Sequence, residues 1–471
     1  MQKIPVVVIG AGPAGLGGAY QLARRGCFDV TMIERGSGVG GNAGSFDLAG
    51  LRVDYGSHRL HPSCAPEILA DIRAMLGDSL LDRPRHGRIR IQGRWVHFPL
   101  KPVDLVTHLP FSFAGGVVAD SLRKLGRRGA PAETFEAVLE HGLGRTICRT
   151  FYFPYARKIW GLPPVELDAE QARRRVSAGS LGKMLRKVLN AVPGFKRPGS
   201  GRFFYPRGGF GSISEAYRDA AAGAGARIML RTQVLGLQGK DGCGICVRVN
   251  GPEGEQMVFG RQVLSTMPVS LLARMIQPAA PGPVLESAAA LRFRSMILIY
   301  LVLETERFTE FDAHYFPDVE IPITRLSEPK NYGLAALPGR TVLCAELPCF
   351  PTDAVWNASE GELAALVKGA LAASGIPVRC AVLQVAVRRL SQAYPLYTRD
   401  YAQHFDRVDQ WLSGIDGILT FGRQGLFAHD NTHHALAMAY AAGKCLDDSG
   451  GLNRGLWRHY RAEFRHHVVE D

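Results

Sequence analysis

The sequence is short of uninterrupted apolar length. No stretch of its 471 residues reaches the ~18 apolar positions that a membrane-spanning helix needs, although 46% of the residues are hydrophobic. A helical integral membrane protein is excluded on that ground. Internal repeats and low-complexity tracts are also missing, and the composition excludes a disordered, collagenous or coiled-coil chain. The nine cysteines are scattered, without the paired spacing of a zinc site. The single CxxC, Cys243-Gly-Ile-Cys246, lies in an alternating run (Ile245, Val247, Val249) that reads as strand. Lys and Arg number 56 against 43 Asp and Glu, a net charge of +13. No nucleic-acid recognition motif accompanies the dispersed arginines, so no nucleic-acid partner is expected. The excess favours an anionic small molecule or an acidic lipid surface. No apolar signal region separates Met1-Gln2-Lys3 from the first strand, and a cytoplasmic location is expected.

Glycine, by contrast, is plentiful at 54 residues, and the first glycines are patterned. Ile4 to Ile9 is a β-branched run of the kind buried on both faces of a sheet. It leads into Gly10-Ala11-Gly12-Pro13-Ala14-Gly15, a helical stretch from Leu16 to Arg25, and a second strand from Val30 to Ile33 that ends at Glu34. In this pattern Gly10 permits the tight turn, Gly12 lets the backbone approach a pyrophosphate, and Gly15 lets helix and strand pack closely. Pro13 and Ala14 belong to this turn, and the N-terminus of the helix that follows faces phosphate with its free N–H groups. Glu34 is placed for a ribose hydroxyl pair. Together these predict a dinucleotide site.

A second glycine loop, Gly38-Val39-Gly40-Gly41-Asn42, follows Arg35. It suits the long pyrophosphate and ribityl chain of FAD; read alone, it is a surface turn. Far along the chain, Gly417 to Phe421 reads as a strand, followed by Gly422-Arg423-Gln424-Gly425 and a small-faced helix from near Asn431 and Thr432. That turn and helix again aim backbone N–H groups at an electron-rich group, such as the flavin pyrimidine edge. A returning strand through Val234 completes the expected cofactor fold, assembled from both ends of the chain.

These pieces resemble the flavoprotein family that includes UDP-galactopyranose mutase, protoporphyrinogen oxidase and the amine oxidases, and the mutases in particular. The matching pieces run in order over essentially the full length. They are Gly40-Gly41-Asn42, Tyr55-Gly56-Ser57-His58-Arg59-Leu60-His61, Gly93-Arg94-Trp95-Val96-His97-Phe98-Pro99-Leu100, Thr134-Phe135-Glu136, Phe151 with Tyr155 and Lys158-Ile159-Trp160-Gly161, Pro322-Ile323-Thr324-Arg325, Tyr394-Pro395, and the Gly422-Arg423 turn. The resemblance implies FAD as cofactor and His58 and His61 in a loop beside the flavin. It implies that Phe151, Tyr155 and Trp160 hold a uracil and ribose, and that Arg174, Arg325 and Tyr394 lie at a substrate diphosphate. Two departures stand out. The strand Val342-Leu343-Cys344-Ala345-Glu346-Leu347 lacks the further diphosphate tyrosine of the mutases. The C-terminal turn carries His429, Asp430, Asn431, His433 and His434 where the mutases keep aromatics and aspartates. Both point away from UDP-galactopyranose itself.

Chemistry supports several of these assignments. Histidines such as His58 and His61 bond a flavin edge or carry protons near neutral pH; the plainer role is capping a loop. Arginine is the residue that grips diphosphate through its planar fork, although Arg173-Arg174-Arg175 alone reads as a solvated basic face. Phe151, Tyr155 and Trp160 fit either core or a stacking platform. The His429–His434 cluster fits either a flavin contact or a helix start with Asp430 or Asn431 as N-cap. Adjacent His433 and His434 diverge from a helix, so no metal is expected.

Residues 101–200 read as helical, with an apolar stretch (Leu105 to Val118) and basic ones (Arg123 to Arg128, Lys183 to Lys196). That pairing fits a helical cap with basic faces or a peripheral membrane contact. The tail from Trp457 to Val469 reads as a basic, aromatic-containing helix. The expected fold class is α/β. A Rossmann-like three-layer FAD-binding domain is built from both chain ends (1–64, 201–265, 401–471), beside a mixed β-sheet substrate domain (65–100, 266–400) and a helical insertion (101–200). The expected function is flavin N5 chemistry on an anionic glycosyl, nucleotide-sugar-like substrate, either redox-neutral or as a net oxidation. The alternative is a dehydrogenase or oxidase of the protoporphyrinogen or amine type, on a larger hydrophobic or amine substrate. A flavin carrier without catalysis is a third class.

Overall fold

The computed structural model describes residues 2–99, 110–124, 133–175, 201–239, 244–333 and 337–469. Its organising element is a five-stranded parallel sheet in the order Ile418–Thr420, Gln262–Ser265, Ile4–Ile9, Phe28–Ile33, Arg227–Met229. Along the first strand Val6 and Val8 enter one core and Val7 and Ile9 the other, all four buried. The run carries no polar alternation because neither face meets water.

Three helices cover one face: Pro13–Ala23, Ser212–Gly223 and Thr432–Cys445. The small residues of the last helix are explained by close approach, since a Cβ on Gly17 would lie 2.9 Å from the Ala439 Cβ. The other face carries a four-stranded sheet and the helices Val269–Met275, Gly282–Ala290 and Tyr401–Ser413. The three-layer architecture is therefore the expected one, with strands and helices drawn from both ends and the middle of the chain.

The second body is a seven-stranded mixed sheet in the order Val382–Pro395, Phe293–Leu303, Thr341–Cys349, Arg325–Ser327, Ala313–Tyr315, Gly87–Ile91, Arg94–Phe98. Helix Glu360–Ala373 packs on one face, and the hairpin Ser45–Leu48/Leu51–Asp54 on the other. The insertion supplies helices Phe111–Lys124, Phe135–Leu143, Phe153–Trp160 and Ala169–Arg175, with a π-helix at Cys148–Tyr152. Phe135, Leu139, Trp160 and Leu396 form its core.

Several elements differ from expectation. The first helix begins at Pro13 rather than Leu16, because proline is well suited to a first turn. The expected strand Arg227 to Leu237 is two strands in different sheets, Arg227–Met229 and Gln233–Gly239. The chain breaks at Arg231, whose φ is 52°. The tail helix is Arg454–Phe464, and the chain then leaves helical geometry. The basic run Lys183 to Lys196, most of Arg123 to Arg128, residues 105–109 and Cys243 lie outside the described residues. Among the described residues no helix is long and apolar enough to cross a membrane.

Candidate functional site

The C-terminal ends of the parallel strands open into a cavity of about 500 Å³ that continues to the seven-stranded sheet. This is where an open parallel sheet places its ligand. The near end is built from backbone. Helix Pro13–Ala23 starts at Gly12 with no side-chain cap, so its first-turn amides are left for a ligand. A Cβ on Gly12 would meet nothing within 4 Å, whereas one on Gly15 would sit 1.9 Å from the Gly10 carbonyl oxygen. Gly12 is thus the position of ligand approach and Gly15 the position of helix–strand packing. Glu34 is fixed by two amides, Ala11 N–H at 2.8 Å and Gly36 N–H at 2.7 Å. Arg35, Gly41, Asn42, Val234, Pro13, Ala14, Asn431 and Thr432 also line the cavity. Gly10 also lines the cavity, while Gly422 packs behind it, where a Cβ would lie 2.8 Å from that of Ala14.

The end of strand Val382–Pro395 is tied to this wall. Asn42 donates to the Gln392 carbonyl at 3.1 Å, Gln424 to the same oxygen at 2.9 Å, and Arg423 to the Ala393 carbonyl at 2.7 Å. Both glycine loops are thereby pinned to the second sheet.

The far end is built from side chains. Arg325 lines it and donates twice to Glu346 Oε1, from Nε at 2.9 Å and Nη2 at 2.7 Å. The Ser57 amide donates to the same oxygen at 2.9 Å. Burial opposes the charge on Arg325, but Glu346 outweighs it and holds the guanidinium protonated. Tyr394 lies close to two cations, with Arg175 5.2 Å and Arg423 5.0 Å from its ring centre. His58 lines the cavity and stacks on Phe210, and its Nε2–H donates to the Tyr55 carbonyl at 2.9 Å. Burial pushes its pKa below the usual imidazole range, against the pull of Asp54. His58 is therefore a neutral ring at neutral pH.

Some expected residues lie elsewhere. Arg174 turns away and pairs with Glu170 at 2.9 Å at a second cavity, and Arg175, one position on, lines the first. One residue rotates a helix by about 100°, a difference in facing that separation along the sequence does not fix. Trp160 is 3% exposed in the insertion core, where its edge meets Tyr394. It supports the wall without lining it. Phe151 stacks on Tyr155 at 5.8 Å, and of the two only Tyr155 reaches the cavity. His61 bonds Ser63 on the surface loop. His429 is fully buried behind the site and donates to Gln171 at 3.1 Å. Glu346 was not anticipated; its signal was a lone acid in an otherwise apolar strand.

Comparison with known proteins places the chain. The family described as flavin containing amine oxidoreductase matches residues 13–434. The chain belongs to this family. Among solved structures it is similar to reduced UDP-galactopyranose mutase, with a TM-score of 0.79 at 20% identity over 100% of both chains. It is also similar to cyclohexylamine oxidase from Brevibacterium oxydans, with a TM-score of 0.66 at 14% identity over 98% and 100%. A Klebsiella pneumoniae protein named as a probable UDP-galactopyranose mutase is 28% identical over 184 residues, 37% of this chain and 45% of that one. The chain thus aligns with less than half the length of the curated relatives it matches.

As a flavin containing amine oxidoreductase the protein is an enzyme, and its cofactor is FAD. The residues present fit that cofactor: open space over Gly12, uncapped first-turn amides, and an immobilised Glu34 carboxylate with lone pairs to spare. Among the described residues seven arginines (Arg35, Arg59, Arg85, Arg175, Arg325, Arg389, Arg423) and three acidic residues (Glu34, Glu346, Asp430) line the cavity. That imbalance suits a diphosphate together with a further anion.

Proposed function

We propose that this enzyme uses its flavin on an anionic glycosyl substrate of the nucleotide-sugar kind. The observation that carries the reading is Arg175. It lines the cavity with its guanidinium 5.3 Å from the Trp160 ring centre and 5.2 Å from that of Tyr394, and it has no carboxylate partner among the described residues. An arginine held by aromatic faces alone keeps its charge and donors for a ligand. Arg325, already paired with Glu346, serves as an oriented donor in this reading rather than as a free cation. Tyr155 and Tyr394 supply the surface for a base or sugar, and the seven-stranded sheet is the substrate-bearing body. The flavin, when bound, supplies N5 as electron acceptor or nucleophile. The chain's own residues bind the anion, orient the sugar toward the cofactor and keep water out.

Titration of the oxidised and dithionite-reduced enzyme with UDP and UDP-sugars, followed by flavin absorbance, tests this. Tighter binding to the reduced form is expected for redox-neutral, mutase-type chemistry, and tighter binding to the oxidised form for net oxidation. Indifference to every nucleotide in both states would refute the glycosyl reading and favour an amine or protoporphyrinogen type of oxidation.

A further inference from the structure

Helix Phe153–Trp160 turns Tyr155 and Ile159, one turn apart, toward the cavity. Lys158 belongs to the same helix and to the Lys158-Ile159-Trp160-Gly161 run, yet it is not among the residues that line the cavity. Its ammonium meets the connection 316–323, which joins strand Ala313–Tyr315 to strand Arg325–Ser327. Nζ donates to the Asp318 carbonyl at 3.0 Å, to the Ile323 carbonyl at 2.9 Å and to the Phe316 carbonyl. An ammonium has three donors and no acceptor, so all of its hydrogen-bonding capacity is spent inside the protein. Lys158 is therefore no ligand-binding cation.

The connection carries one wall of the cavity's far end. Tyr315 precedes it, Thr324 and Arg325 follow it, and all three line the cavity. Phe316, Ile321 and Ile323 sink into the core of the seven-stranded sheet, so the carbonyls beside them leave water and need donors. No regular helix or strand runs through 316–323 to supply them, and Lys158 does so. Arg90, on strand Gly87–Ile91, pairs with the Asp318 carboxylate from another side. Arg294 ties the end of the same helix to the sheet at a different place. Its Nε donates to the Ile159 carbonyl at 3.1 Å, and its Nη2 to the carbonyls of Lys158 at 3.3 Å and Pro348 at 3.1 Å. The helix is thus attached to the sheet at two points, each a cation bonded to carbonyls.

We propose that Lys158 is the positioning residue of the far end, setting the gap between the insertion wall (Tyr155 and Ile159) and the sheet wall (Tyr315 and Arg325). It acts through these neighbours, by gathering three carbonyls of the connection onto one ammonium. Arg294 fixes where the helix ends, and Lys158 fixes how near its cavity face stands to the sheet. This role depends on the two walls alone and holds for a glycosyl or an amine substrate alike.

The test uses the FAD-loaded enzyme and iodide, a small anion that quenches flavin fluorescence on contact. K158M keeps an unbranched apolar stem and removes the donors. It is expected to load FAD as the wild type does, because the dinucleotide end is built from other elements. Its iodide quenching constant is expected to rise about threefold, and amide hydrogen exchange in 153–160 and 313–327 to speed up about tenfold, with helix Pro13–Ala23 unchanged. K158R, which restores charge and donors, is expected to fall between K158M and the wild type. K158Q, with two donors and no charge, is measured beside them so that poor folding of K158M does not decide the matter, and it is expected to shift in the same direction by a smaller factor. Faster exchange with a wild-type quenching constant would overturn the proposal, leaving Lys158 as a tie that does not set the gap. Unchanged exchange, equal effects of K158M and K158R, or loss of FAD from all three variants would overturn it as well.

Discussion

The two ends of the main cavity are built by different means. The dinucleotide end uses backbone: uncapped amides at the start of helix Pro13–Ala23, the open space over Gly12, and Glu34 held by two N–H groups. The far end uses side chains brought together from the insertion (Arg175), two neighbouring strands (Arg325 and Glu346) and the end of a third (Tyr394). A backbone site depends on a short local pattern and tolerates change around it. A side-chain site depends on the tertiary placement of each contributor, and a shift of one residue reassigns a role.

The largest expected effect breaks the backbone end. Gly12→Val puts a branched side chain into the ligand's space, where its Cβ meets no protein atom within 4 Å. The purified variant is expected to keep the wild-type circular dichroism and to lose the flavin absorption bands. Normal FAD loading would show that the cofactor does not approach there. Next in size is E346Q, which leaves the buried Arg325 charge without its partner. Side-chain exposures of 17% and 5% place this pair in the regime where losing one member costs about 3 kcal/mol. That loss is read as a lower urea midpoint in the FAD-free protein; an unchanged midpoint would mean that the pair does not hold the far end in place. The smallest and most discriminating effect compares neighbours. Arg175→Ala is expected to weaken UDP-sugar binding about tenfold, the loss of one charge-assisted contact. Arg174→Ala, which removes a partner of Glu170, is expected to change binding by less than about twofold. Equal effects of the two substitutions on the dissociation constant would erase the distinction drawn between the helix faces.

How much of this could be read in the sequence follows the same division. Gly10, Gly12, Gly15 and Glu34 were legible because strand, turn, helix and acid are contiguous and each residue type answers a local steric demand. The second glycine loop and the small-faced helix at Asn431 were legible for the same reason. Asn431 serves both roles considered for it, as helix N-cap and as a residue lining the cavity. The far end was legible only in outline. Tyr155, Arg325 and Tyr394 lie on the cavity, but Trp160 sits behind it and Arg174 beside it. The π-helix Cys148–Tyr152 widens the turn ahead of these residues, so regular helical spacing gives their facing only approximately. The Arg325–Glu346 contact arises from strand register, and the Lys158 contacts from the path of the connection 316–323. No run of neighbouring residues encodes either one.

The parallel sheet has a bearing on how the protein is made. Its first strand, Ile4–Ile9, is flanked by Gln262–Ser265, which pairs in turn with Ile418–Thr420, and Asn431 and Thr432 line the cofactor cavity. A ribosome exposes these segments in order, so the glycine fingerprint emerges long before the strand and helix that close the cleft around it. Until the last of them is released, the early strands have no complete partner to bury them, and the dinucleotide has half a seat. A complete seat for the flavin therefore exists only once the segment through Asn431 has been made. A nascent chain stalled before Ile418 carries the fingerprint but lacks the strand and the Asn431 segment that complete the cavity.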